Sequence, residues 1–136
     1  METKFLTITF GTWFLFMILA IINAILREGL FTSFLPELRA HQLSTITLMI
    51  LFFIGTYLIL RYSEIQLSDQ QAIIMGCIWI IMTILFEFVA GHYLFGNSWD
   101  KLIADYNIFK GRIWIFIPIT TLISPYLANK LIQMYT

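Results

Sequence analysis

At 136 residues, of which 60% are hydrophobic, 17% aromatic and only 12% charged, the chain is far less polar than a soluble domain, where about a quarter of residues are charged. Its 8 basic and 8 acidic residues cancel, which excludes the electrostatic footprint of a nucleic-acid-binding protein. Cys77 is the only cysteine, so an intrachain disulfide is excluded and a thiolate zinc site is not expected. The composition describes one small membrane domain.

A transmembrane helix needs about 20 mainly apolar residues to cross about 30 Å of hydrocarbon. The first run, residues 5–26, is uninterrupted between Lys4 and Arg27. A cleavable signal peptide would have a shorter apolar region followed by a small-residue cleavage pattern, so this run reads as an uncleaved helix. The second, residues 40–60, contains only His41 as a titratable group, and Pro36 suits the first turn of a helix that starts earlier. Between them, Gly29 to Leu35 is mostly apolar and is expected to hug the membrane.

The third run, residues 71–94, includes Glu87 and His92. Each of its isoleucines and phenylalanines favours insertion by roughly 0.3–0.6 kcal/mol against about 3 kcal/mol for a central carboxylate, so insertion wins narrowly. Ser68 is placed as its N-cap. Downstream, Trp99, Leu102, Ile103 and Tyr106 recur at helical spacing after Ser98, opposite Asp100, Lys101 and Asp105. This pattern predicts a short amphipathic helix at the interface, with Asp100 and Asp105 solvated. The fourth run, residues 113–132, contains Pro118 and Pro125 and is expected to be a kinked span.

The expected fold is therefore an all-α integral membrane four-helix up-and-down bundle over residues 1–136, with an interfacial amphipathic helix between spans 3 and 4. Tyr62 and Tyr135 at one end, and Tyr93, Trp99, Tyr106 and Trp114 at the other, suit two aromatic belts. The 1–2 and 3–4 loops carry Arg27, Arg39, Lys101, Lys110 and Arg112, against Lys4, Arg61 and Lys130 on the side of the termini. This excess weakly favours termini outside and those loops in the cytoplasm.

Glu87 is the sharpest feature, because a carboxylate about seven residues from its helix end lies roughly 10 Å below that end. Gly76, Thr83, Glu87 and Ala90 share one helical face, and small and polar residues mark faces turned toward other helices in lipid. Intramembrane ionisable groups commonly mark ion or substrate routes. The alternative is a structural role, as a lock held by an arginine or a tyrosine hydroxyl, or as a carboxyl protonated by burial. Asn23 and Arg27 share a stripe with Thr12 and Phe16 on the first helix, while Arg39 and His41 begin the second helix at the same depth. His92 lies five residues beyond Glu87. Together Asn23, Arg27, Arg39, His41, Glu87 and His92 make a candidate ligand or ion site at one end of the bundle. Glu28 beside Arg27 and Glu37 beside Arg39 read as ordinary interfacial pairs.

His41 and His92 at matching depth raise a haem possibility, which needs both rings to face one another across the interior. No metal-binding spacing, nucleophile elbow, phosphate loop or dinucleotide fingerprint is present, so no catalytic residues and no metal ligands are assigned. Lys101, Lys110 and Arg112, with Trp99, are candidates for anionic lipid headgroups.

Arg27-Glu28, Arg39-Ala40-His41-Gln42, Phe86-Glu87-Phe88, Gly91-His92-Tyr93, Ser98-Trp99, Asp105-Tyr106-Asn107 and Lys110-Gly111-Arg112 resemble a group of small four-span bacterial membrane proteins without an established activity. The resemblance covers nearly the whole chain and implies a fold and a bacterial membrane, but no reaction. In length and span number the chain is also similar to small multidrug resistance transporters. These carry their essential carboxylate in the first helix, where this chain has none.

Three functions follow as expectations. One is a small transporter or channel binding a proton, ion or small polar ligand near Glu87. Another is a non-catalytic accessory subunit or lipid- or partner-binding scaffold. A membrane-embedded enzyme or haem carrier is the third. The lipid bilayer is the expected partner, with a homo-oligomer or larger membrane complex also compatible and nucleic acid excluded.

Overall fold

The computed structural model describes residues 3–135. Five α-helices follow in order: α1 (Thr3–Gly29), α2 (Glu37–Tyr62), α3 (Asp69–Tyr93), α4 (Trp99–Ala104) and α5 (Phe116–Met134). Short 3-10 turns at Phe31–Ser33 and Ile108–Lys110 lie in the two longer connections, and no strand occurs among the described residues. The all-helical expectation is met.

Of these helices, α1, α2 and α3 are long and apolar enough to cross a membrane. Their outer faces carry Phe14, Ile18, Ile25, Ile50, Ile54, Ile81 and Leu85 exposed, whereas Thr9, Ser44, Thr45, Thr56 and Thr83 are buried. That inversion of a soluble protein suits helices whose outer solvent is hydrocarbon. The buried hydroxyls of Thr9, Thr45 and Thr56 donate to carbonyls one turn back in their own helices, so each is satisfied locally.

α5 has 19 residues and includes Asn129 and Lys130, so it falls short of the apolar length of the other three. It packs against both α2 and α3. The contact with α3 is close because Gly76 has no side chain: a Cβ there would run into the Leu122 carbonyl oxygen. Polar residues of α5 turn inward, with Asn129 donating to the Leu67 carbonyl at 3.0 Å. Pro118 falls in the first helical turn, where no intrahelical N–H is needed, so only Pro125 is interior.

The aromatic centre is Phe16, stacked on Phe52 with ring centroids 4.6 Å apart and edge-on to Trp79 at 5.3 Å. All three are fully buried. At the start of α3, the Ser68 hydroxyl accepts from the Gln71 N–H while the Gln71 side chain accepts from the Ser68 N–H. This reciprocal cap fixes the helix start at the N-cap expected from the sequence, Ser68, with Gln71 completing it. Pro36 sits at the N-cap of α2 and so lies one position outside the helix.

Candidate functional site

Two tryptophans join α1 to α3. Trp13 Nε1 donates to Thr83 Oγ1 at 3.1 Å, and Trp79 Nε1 donates to the Thr9 carbonyl at 2.8 Å. Both bonds are buried, and an indole N–H left unpaired in an apolar interior would cost about 1–3 kcal/mol. Toward its C-terminal end, α1 is tied to α2 instead: Asn23 Nδ2 donates to the Ser44 carbonyl at 3.1 Å, and Arg27 Nη1 reaches Ser44 Oγ at 3.3 Å. α1 and α3 thus meet at the tryptophans, and a cavity opens between them further along.

That cavity has a volume of about 660 Å³. Ala20 and Ala24 of α1 face it, as do Thr83, Phe86, Glu87 and Gly91 of α3. The short side chains of Ala20, Ala24 and Thr83 leave space between the helices, whereas Leu102 packs against Gly91. Met17, Phe52 and Ile117 line it at the tryptophan end, while Arg27, His41, Asn97, Lys101 and Asp105 line it near α4. The chemistry is graded, from apolar at depth to charged at the loop end.

Glu87 partners neither an arginine nor a tyrosine. Trp114 Nε1 donates to its Oε1 at 2.9 Å, and its buried Oε2 has no hydrogen-bond partner. Trp114, read from the sequence as a belt residue, is turned inward and serves three helices. The Arg27 guanidinium carbon lies 5.6 Å from its ring centroid and the His41 ring 5.3 Å away. The signal that could have found it is the indole N–H, a donor that needs a partner wherever the ring is taken out of the interface. Tyr106 also leaves the belt, stacking on Phe88 at 5.6 Å. Tyr62, Tyr93, Trp99 and Tyr135 remain exposed.

Buried atoms without a hydrogen-bond partner, among the described residues, are Asn23 Oδ1, His41 Nδ1, Glu87 Oε2 and Tyr106 Oη. All belong to the same end of the molecule. A second pocket of about 30 Å³ is lined by Glu87, Asp105, Tyr106 and Trp114, room for roughly one water.

Of the six candidate site residues, Arg27, His41 and Glu87 line the large cavity, and Glu28 lines it with them. Asn23 is used in the α1–α2 contact. His92 is separate: its Nδ1 pairs with the Asn97 carbonyl at 2.8 Å and its ring stacks on Trp99 at 3.8 Å, bracing the turn from α3 to α4. It is not part of the cavity wall that His41 contributes to, so the two rings are not brought together there. Arg39 is exposed and reaches Gln42.

Glu37 does not pair with Arg39. Its two carboxylate oxygens take a bidentate contact from Arg112 at 2.7 and 2.8 Å, which joins the start of α2 to the approach to α5 and holds the guanidinium pKa above its usual range. Glu28 does pair with Arg27, at 3.3 Å. Asp105 is another departure from the sequence reading. Rather than lying on a solvated face, it is half-buried against the cavity, and burial pushes its carboxyl above the usual range against the opposing pull of Lys101, Arg112 and Arg27. The cause is the length of α4, which ends at Ala104 and lets Asp105 turn in as the C-cap. Ser98 caps α4 as expected, accepting from the Lys101 N–H. Of the headgroup candidates, Lys101 lines the cavity and reaches Asn97 Oδ1 at 3.1 Å, Arg112 is engaged by Glu37, and Lys110 and Trp99 are exposed.

Comparison with protein-family models, curated proteins and solved structures found no match to this chain.

Proposed function

We propose that the chain is an integral protein of a bacterial cytoplasmic membrane, a four-helix up-and-down bundle with α5 as its fourth span, that binds and moves a small ligand at the cavity beside Glu87. Proton exchange at Glu87 is coupled to that movement. The inward polar face of α5, with Thr121, Ser124 and Asn129 buried, supports a span whose low hydropathy is hidden from lipid. The excess of Lys and Arg in the two loops at the cavity end supports placing that end in the cytoplasm.

One observation carries the reading: Glu87 and Arg27 both line a cavity of about 660 Å³ rather than closing on each other as a dry ion pair. A lock between Glu87 and Arg27 needs direct contact, whereas a binding site needs charged groups held apart with space between them. Trp114 orients the Glu87 carboxyl from one side and leaves the other oxygen free of protein partners.

The test is proton flux in reconstituted vesicles. Wild type is expected to collapse an imposed pH gradient faster than empty vesicles, and E87Q to lose that activity while keeping its thermal unfolding profile. Unchanged flux in E87Q contradicts the reading.

A further inference from the structure

The walls of the cavity point to the class of ligand, given the reading above that it is a ligand site. Ile21 and Ile25 line it, yet are 37% and 65% exposed. They adjoin Ile18, Ile22 and Leu26, which are exposed on α1 without lining the cavity, so its edge borders the outer apolar surface of that helix. Its depth, bounded by Met17, Phe52, Phe86 and Ile117, offers apolar surface to a hydrocarbon. A fully polar solute would be stripped of water there without compensating hydrogen bonds.

The loop end supplies cations with spare donors. Arg27 is engaged through Nε to the exposed Glu28 and through Nη1 to Ser44, both at 3.3 Å, at the long end of hydrogen-bond range. Among the described residues, Lys101 Nζ hydrogen-bonds only Asn97 Oδ1. Of the carboxylates that line the cavity, Glu28 is paired with Arg27, Glu87 Oε1 takes the Trp114 N–H and its Oε2 is buried, and burial raises the Asp105 pKa above its usual range.

We propose that the cavity accepts a single-chain anionic amphiphile, entering sideways from the bilayer between α1 and α3, with its chain toward Phe52 and its carboxylate or phosphate between Arg27 and Lys101. A fork of guanidinium N–H groups and a mobile ammonium are the donors such a head group uses. The ligand can be a free fatty acid or a lysophospholipid, which share this chemistry.

The experiment uses the whole protein in phosphatidylcholine nanodiscs with three diazirine-tagged probes: palmitate, lysophosphatidate and a neutral monoacylglycerol. Saturable labelling of residues 17–28 and 83–91 by either anionic probe, competed by its untagged form, is expected. Labelling by palmitate alone assigns a fatty acid, and by lysophosphatidate alone a lysophospholipid. A24F, which fills the cavity without altering charge, should abolish labelling. R27Q/K101Q should abolish the preference for anionic over neutral probes even if A24F does not fold. No saturable labelling at these segments, or equal labelling by the neutral probe in wild type, overturns the proposal. If labelling fails while Glu87-dependent proton flux persists, only the ligand class falls. If labelling occurs without flux, the transport reading falls instead.

Discussion

Trp114 Nε1 lies 2.9 Å from Glu87 Oε1, so the segment entering α5 holds the one carboxylate in the interior of α3. The same ring lies beside Arg27 and His41, which makes Trp114 the point where α1, α2 and α3 share a neighbour at the cavity end. W114F keeps an aromatic ring but removes the donor. It is expected to destabilise the protein by about 1–3 kcal/mol, the cost of leaving a buried acceptor unpaired. Denaturation in detergent measures this. A double-mutant cycle with E87L should show that most of the loss depends on Glu87, and additive effects would contradict the pairing.

The Arg112–Glu37 pair has better geometry but lies in a more exposed place, with the Glu37 side chain 62% exposed. R112A is therefore expected to cost less than about 1 kcal/mol, as exposed ion pairs do. The ordering, W114F more damaging than R112A, can be read from melting temperatures alone.

Gly76 governs the approach of α3 to α5. G76A places a methyl group against the Leu122 backbone and should destabilise by about 1–3 kcal/mol through overpacking. Gly11 has open space around its Cβ position, so G11A should be neutral or stabilising, since alanine is favoured over glycine in a helix interior by about 1 kcal/mol. Equal melting temperatures for the two variants would contradict the close α3–α5 contact.

Asp105 introduces a pH dependence. Burial raises its pKa above the ordinary 3.8, so between the unfolded and folded values the folded chain binds more protons than the unfolded one. Its contribution to stability is therefore greatest below 3.8 and is lost as pH rises through the folded value. D105N should remove that component and flatten the melting-temperature profile across the acid range. A profile unchanged in D105N assigns the slope to other carboxylates.

Local features were legible in the sequence. Apolar runs marked the helices, Ser68 and Ser98 marked caps, and the face holding Gly76, Thr83, Glu87 and Ala90 marked the inward side of α3. Long-range pairings were not. Depth along a helix placed His92 beside Glu87, but depth does not fix azimuth, and its ring turns to Trp99 instead. Adjacency paired Glu37 with Arg39, whereas Arg112, 75 residues away, offers a bidentate fork. Trp114 looked like an interfacial anchor because its partner lies on another helix. The cavity itself arises from α1 meeting α3 at the tryptophans and α2 at Ser44, a relationship that no single segment encodes.

Access to Ala24 tests the open cavity most directly. In a C77A background, A24C in proteoliposomes is exposed to a small membrane-impermeant thiol reagent and compared with A128C, a small residue fully buried in the core. A24C is expected to react readily, A128C to stay inert, and palmitate or lysophosphatidate to slow the reaction at A24C. If A24C is as unreactive as A128C, α1 and α3 close on each other and the cavity beside Glu87 is not a binding site.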